Sequence, residues 1–324
     1  MNNTHGPPSF QLADTHCHLY TPPLSQDAPA VLSRATARGV NQFIVPAYDI
    51  DSWQTMDALS RLPGVFTTLG LHPWAADQVA KLFHSMDSEN PPEPNNPQDR
   101  NIPPGEQPSS TTNPLPLLAA QCAGLRLEME TALSKPPPGF KPSPSFKIIP
   151  PPIAIGEIGL DYKIDIAGGQ PGPELQRLVL RTQLELAVDN NLPVILHCRG
   201  AFEELLGEIK RFAGRLRGVL HAYSRGSDPA VHFINAGLHI GLGGAITRDR
   251  AKRVRLAATN LPLDKIVLET DAPYIGLDGV LPVDTEPGHV RDVAEALATL
   301  RCDTIETIAE VTTNNARELF QLPD

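Results

Sequence analysis

Six residues dominate the chemistry that this 324-residue chain can offer: His16, His18, Glu157, His197, His221 and Asp271. His16 and His18 are two apart, a spacing that on a β-strand turns both imidazoles to one face and Cys17 to the other. Two imidazoles on one face make half of a tetrahedral or octahedral site for a divalent metal. The simplest division gives one metal to His16, His18 and Asp271 and a second to His197 and His221. Glu157 bridges them, because one carboxylate can give an oxygen to each cation. Two divalent ions about 4 Å apart lower the pKa of a shared water and clamp the attacking and leaving oxygens of a displacement. The expected cofactors are therefore two divalent metal ions, and mixed imidazole and carboxylate ligands admit zinc, magnesium or manganese as well as iron or nickel. Such a centre keeps a net positive charge that attracts phosphate.

Residues so far apart in sequence need a scaffold that brings them to one place. Eight short apolar, β-branched runs, each flanked by turn residues, occupy 10–16, 40–47, 65–71, 153–160, 194–197, 218–221, 238–243 and 265–270. Helix-length amphipathic segments follow them, as at 174–190, where Leu175, Leu178, Leu184 and Leu186 build an apolar face. Repeated strand-helix units predict a parallel sheet, and eight of them in this length predict a (β/α)8 TIM barrel, with the doubly wound open sheet as runner-up. In that barrel the C-terminal ends of the strands carry the active site. Four of the ten histidines and two carboxylates stand at the ends of five of the predicted strands, which chance placement explains poorly.

Proline is unevenly spread: 17 of 34 lie between Pro91 and Pro152. Segments 90–116 and 135–152 lack periodicity and read as polar, Pro-rich insertions between strands three and four of a single domain spanning 1–324. Between them Leu118, Cys122, Leu125, Met129 and Leu133 fall on one helical stripe, so the crossover helix is expected to survive. Lys and Arg total 27 against 37 Asp and Glu, a formal charge of −10, which excludes polyanion binding through global electrostatics. No apolar run reaches the roughly 18–20 residues that span a bilayer, and the first residues do not read as a leader. Cys17, Cys122, Cys198 and Cys302 are scattered and form no C-x-x-C pair. A cytoplasmic protein without membrane contact is the expectation.

The motifs DTHCHL (14–19), LGLHP (69–73), GEIGLDY (156–162), LPVILHCR (192–199), HAYS (221–224) and LETDAP (268–273) resemble those of the TatD family of metal-dependent hydrolases. The resemblance runs from about Leu12 to the C-terminus apart from the Pro-rich insertions. It implies a TIM barrel of the amidohydrolase type, a dinuclear divalent-metal site and deoxyribonuclease or related phosphodiesterase activity, with DNA, as single strands or ends, as the expected substrate. It further implies a metal-bridged hydroxide that attacks phosphorus, with Asp271 both ligating a metal and taking the proton of the water. One departure stands at Tyr20, where the family commonly has an acidic or amide residue. The expectation is weaker support behind His18.

Other candidates are weighed against plainer roles. His72 is a substrate-binding candidate nearly balanced by a structural role. Arg199 is either a bidentate phosphate clamp or half of a rim salt bridge. Asp161 is expected to orient the site, while Cys17 and Cys198 read as small buried residues. Five cations in the eight residues from Arg248 to Arg255 follow strand seven, where phosphate sites are common in these barrels. Arg248 and Arg250 are the candidates for a nucleic-acid backbone, the rest of the run for a solvated helix face. Gly241, Gly243 and Gly244 read as small residues in a crowded barrel end. Two further readings stay open: hydrolysis of another ester, such as a D-aminoacyl-tRNA, and a non-catalytic scaffold whose Pro-rich insertion docks a protein partner.

Overall fold

The computed structural model describes residues 10–80, 115–133, 151–163, 171–212 and 214–323. Most of both Pro-rich segments, and their expected looping, lies outside the described residues. Each predicted apolar run contains a strand: β1 Leu12–Asp14, β2 Val40–Val45, β3 Val65–Thr67, β4 Ile155–Asp161, β5 Val194–Arg199, β6 Gly218–Leu220, β7 Leu238–Leu242 and β8 Ile266–Leu268. Neighbours pair in parallel in two ladders, β1-β2-β3 and β4-β5-β6-β7-β8.

Both seams between the ladders are bridged. Leu69 pairs with Ile155 on one side and Cys17 with Ala272 on the other, both in parallel. Backbone bonds support each bridge, from Gly156 N to Leu69 O (2.9 Å) and from His18 N to Ala272 O (2.8 Å). The strands therefore run once round in sequence order as a TIM barrel. β1 is shorter than the predicted run because the hydrogen bonds beyond Asp14 are divided between the two neighbours. Thr15 N donates to Leu268 O and Cys17 N to Ile44 O, so the chain stays in the wall without forming a regular ladder.

The outer helices are α1 Ala28–Ala37, α2 Ile50–Leu59, α3 Leu115–Leu133, α4 Pro173–Asp189, α5 Phe202–Lys210, α6 Ser227–Asn235, α7 Lys252–Asn260, α8 Val290–Arg301 and α9 Ile305–Phe320. Several starts are encoded locally. Asp27 accepts from Ala30 N before α1, and Asp49 and Ser52 form a reciprocal capping box before α2. α3 is the expected crossover helix, with Cys122, Leu125 and Met129 buried, and it packs against α4, where Arg126 meets Asp189 at 2.6 Å. No helix among the described residues is long and apolar enough to cross a membrane.

Strand periodicity fixes what points into the barrel. Ile44, Ile195, Val219 and Val267 form an apolar cluster with Leu319 and Phe320 of α9, the helix that follows the last barrel unit. Two residues further along, the same strand faces carry His197, His221 and Glu269. An apolar layer thus lies directly below the polar rim, and the side chains of the rim are nearly all buried.

Candidate metal centre

Glu157 is the hub of the rim. It is 3% exposed and every ion-pair partner it has among the described residues is an imidazole. Oε2 faces His16 Nε2 at 3.3 Å and His18 Nε2 at 3.8 Å, whereas Oε1 faces His221 Nε2 at 2.8 Å, His197 Nδ1 at 3.0 Å and His72 Nε2 at 3.4 Å. Asp271 Oδ1 completes the first group, 3.3 Å from His18 Nε2 and 3.8 Å from His16 Nε2. The six sequence-predicted ligands are thus brought together, and the two oxygens of Glu157 face the two predicted halves of the set.

The ionisable groups of the cluster perturb one another strongly. Burial opposes ionisation of Glu157, yet His221, His72 and His16 together hold its carboxyl well below the ordinary range. Burial also disfavours a charged His221, but Glu157 outweighs it and raises the imidazolium to about 9. His16 stacks on His221 at 4.0 Å, and burial with that neighbouring charge pushes it down to about 4. Ring nitrogens also face one another, His16 Nε2 to His18 Nε2 at 3.1 Å and His197 Nδ1 to His221 Nε2 at 3.3 Å. Lone pairs converging at these distances need a proton or a cation between them. Inward-facing imidazoles with two carboxylates are the donor chemistry of a divalent site. Three groups have ligand atoms close enough to share an ion: His16, His18 and Asp271; His16, Glu157 and His221; and His72, Glu157 and His197.

The supporting shell corrects one expectation. Tyr20 does not leave His18 without support, because its hydroxyl lies 2.9 Å from His18 Nδ1. A phenol oxygen reaches the position and can accept from the ring N–H much as a carboxylate would. Asp161 orients the site as expected, with Oδ2 3.4 Å from His197 Nε2 and accepting from Trp74 Nε1 at 2.8 Å. Cys17 is fully buried and turned toward Ile44 O.

The weaker candidates separate. His72 is buried against Glu157 and Tyr48 instead of standing open at the rim, and burial pushes it down to about 4. Arg199 is 58% exposed and 3.8 Å from Asp161 Oδ2, half of a loose rim ion pair with its head in water. Arg248 donates to the Gly276 carbonyl, which commits it to the loop after β8, whereas Arg250 is exposed.

Two buried carboxyls near the ligands escaped the sequence reading. Asp14 accepts from Thr270 N at 2.9 Å, Thr270 Oγ1 at 2.6 Å and His16 N at 3.2 Å, clamping β1 to β8 between two ligands. Its position two before His16 was the available clue. Glu269 accepts from Ala222 N at 2.5 Å and lies 4.0 Å from His221 Nδ1, and burial pushes its carboxyl up to about 7. The crowding expected at Gly241 has this cause: a Cβ there would collide with Glu269 Oε2 and stand 3.1 Å from His221 Cα.

A parallel barrel of eight strands with five histidines and two carboxylates converging at its C-terminal rim defines a metal-dependent hydrolase of the TIM-barrel class. The family model described as TatD related DNase matches residues 13–104 and 145–321, passing over 105–144 within the Pro-rich interval. The chain belongs to this family. It is 32% identical over 311 residues to the uncharacterized metal-dependent hydrolase YjjV of Escherichia coli K12, covering 96% of this chain and 98% of that protein. The crystal structure of YjjV superposes with a TM-score of 0.71, at 30% identity over 96% of this chain and 98% of the other. Human deoxyribonuclease TATDN3 is 28% identical over 95% of this chain and 94% of its own length. The 3'-5' ssDNA/RNA exonuclease TatD of Edwardsiella piscicida is 33% identical over 53% of this chain and 67% of its own.

Proposed function

We propose that this hydrolase cleaves phosphodiester bonds of nucleic acid, with DNA as its foremost substrate. The observation that carries the reading is the division of Glu157, whose Oε2 faces His16 and His18 while Oε1 faces His197 and His221. His16, His18 and Asp271 would hold one divalent cation and His197 and His221 the other, with Glu157 shared. Such a pair polarises the phosphoryl group, lowers the pKa of the attacking water and stabilises the leaving 3′-oxygen. The activities named for the human and Edwardsiella relatives support nucleic acid as the substrate class.

Asp271 is the residue to take the proton of the water. Burial works against its ionisation, but the bond to His18 and the charges of His16 and His221 keep its carboxyl below the ordinary range. It is therefore an ionised base at neutral pH, held at the rim by its backbone N–H to His16 O at 2.8 Å. Asp161 fixes the His197 ring and Tyr20 the His18 ring, so neither imidazole has to be ordered when substrate arrives. Of the candidate cations, Arg199 and Arg250 are exposed and available to the backbone phosphates.

Elemental analysis of the purified protein, followed by assay of the metal-reconstituted enzyme on single-stranded DNA, RNA and D-aminoacyl-tRNA, tests the reading. Two equivalents of divalent metal and release of nucleotides from DNA are expected, with kcat lowered at least 100-fold in Asp271→Asn. Deacylation without strand cleavage would move the function to acyl esters. Absence of both metal and ester hydrolysis would favour the protein-docking scaffold.

A further inference from the structure

Of the large apolar side chains exposed among the described residues, two are aromatic: Trp74 at 42% and Tyr274 at 57%. Both touch the ligand cluster. Trp74 meets the His72 ring edge-on at 5.6 Å, and Tyr274 meets His18 edge-on at 5.0 Å. His72 lies on the Oε1 side of Glu157 and His18 on the Oε2 side, so one exposed ring stands beside each half of the set. Trp74 is anchored through its ring nitrogen, Tyr274 chiefly through its backbone. Trp74 Nε1 donates to Asp161 Oδ2 at 2.8 Å and its backbone N–H donates to His72 Nδ1 at 3.1 Å. Tyr274 donates its backbone N–H to Asp271 O at 2.8 Å, and its hydroxyl is 3.4 Å from Thr21 Oγ1.

An aromatic side chain left partly in water on an anchored backbone gains little from packing. It is, however, already ordered for a flat partner, so binding costs little conformational entropy. We propose that Trp74 and Tyr274 are stacking platforms for the bases that flank the hydrolysed phosphodiester. In a duplex those base faces are occupied by neighbouring bases. Stacking on an aromatic ring tolerates any base, since every base has a π-face, so recognition by these two rings is sequence-tolerant. On an acidic protein it also supplies affinity that global charge cannot. The proposal rests on the phosphodiesterase reading above and adds the chemistry by which substrate is held.

The test compares kcat/KM of the metal-loaded enzyme on a short single-stranded DNA with that on the same strand carrying abasic residues beside the scissile bond. Wild type should prefer the intact strand. Trp74→Ala and Tyr274→Ala should each reduce that preference about tenfold. Trp74→Phe, which keeps an aromatic face but loses the bond to Asp161, should retain most of it, separating stacking from the positioning of Asp161. Tryptophan emission should be quenched by the intact strand in wild type and not in Trp74→Phe, where Trp53 remains. Equal use of intact and abasic strands by wild type, or wild-type preference in both alanine variants, overturns the platforms while leaving the phosphodiesterase reading standing. Cleavage of neither strand by wild type overturns both.

Discussion

Replacing Gly159 by alanine probes whether the metal ligands depend on a strand separation that only glycine permits. Gly159 has a φ of +152°, and a Cβ built on it would stand 2.8 Å from the carbonyl carbon of His197, 2.9 Å from its nitrogen and closer still to its oxygen. The obstacle is backbone, not the end of a flexible side chain, and Gly159 is paired in register with His197. β4 must therefore move away from β5 at the level of a ligand, two residues beyond Glu157. Overpacking of this kind costs about 1–3 kcal/mol, and a side chain held at a sparsely populated positive φ a further ~1–3 kcal/mol. The total is about 2–6 kcal/mol, which for a domain of this size lowers Tm by roughly 4–12 °C. Calorimetry of the metal-free protein reads the stability, and titration with divalent metal reads the second consequence, weaker binding by the set containing His197. A variant within 1 kcal/mol of wild type and with unchanged metal affinity would refute the reasoning, because it would mean that the two strands part without cost.

Three further outcomes are expected. Asp14→Ala leaves the Thr270 N–H, the Thr270 hydroxyl and the His16 N–H without their acceptor at the β1–β8 seam, and should cost about 3 kcal/mol or more in urea denaturation. A loss below 1 kcal/mol argues against the clamp. Tyr20→Phe keeps the ring but removes the hydroxyl behind His18, and should weaken divalent-metal affinity about 10- to 100-fold in chelator competition; unchanged affinity would show that Tyr20 does not support the ligand. Leu125→Ala in α3 should destabilise by about 2–5 kcal/mol, whereas Leu127→Ala, 48% exposed on the same helix, should stay within about 0.5 kcal/mol. Equal effects at the two positions would mean that α3 does not pack on the barrel through the predicted stripe.

Much of the barrel was legible because its strands are short and buried on both faces, which concentrates β-branched residues between turn signals. The stripe through Cys122, Leu125 and Met129 identified a crossover helix amid proline because helical period survives any loop length on either side. The strand ends were less legible. Nothing local reveals that the hydrogen bonds of the chain beyond Asp14 pass partly to β8, 250 residues away.

Sequence alone singled out the candidate ligands and the strand ends that carry them, since the period of two places His197 and His221 directly above Ile195 and Val219. Tertiary structure alone decided how these candidate ligands are spaced and supported. The facing of the two Glu157 oxygens, the reach of the Tyr20 hydroxyl to His18, the clamp of Asp14 on Thr270 and the burial of His72 against Glu157 all depend on closing the barrel. Closure sets distances between strands that are far apart in the chain, and at a buried rim a fraction of an ångström separates a shared ligand from an unpaired charge.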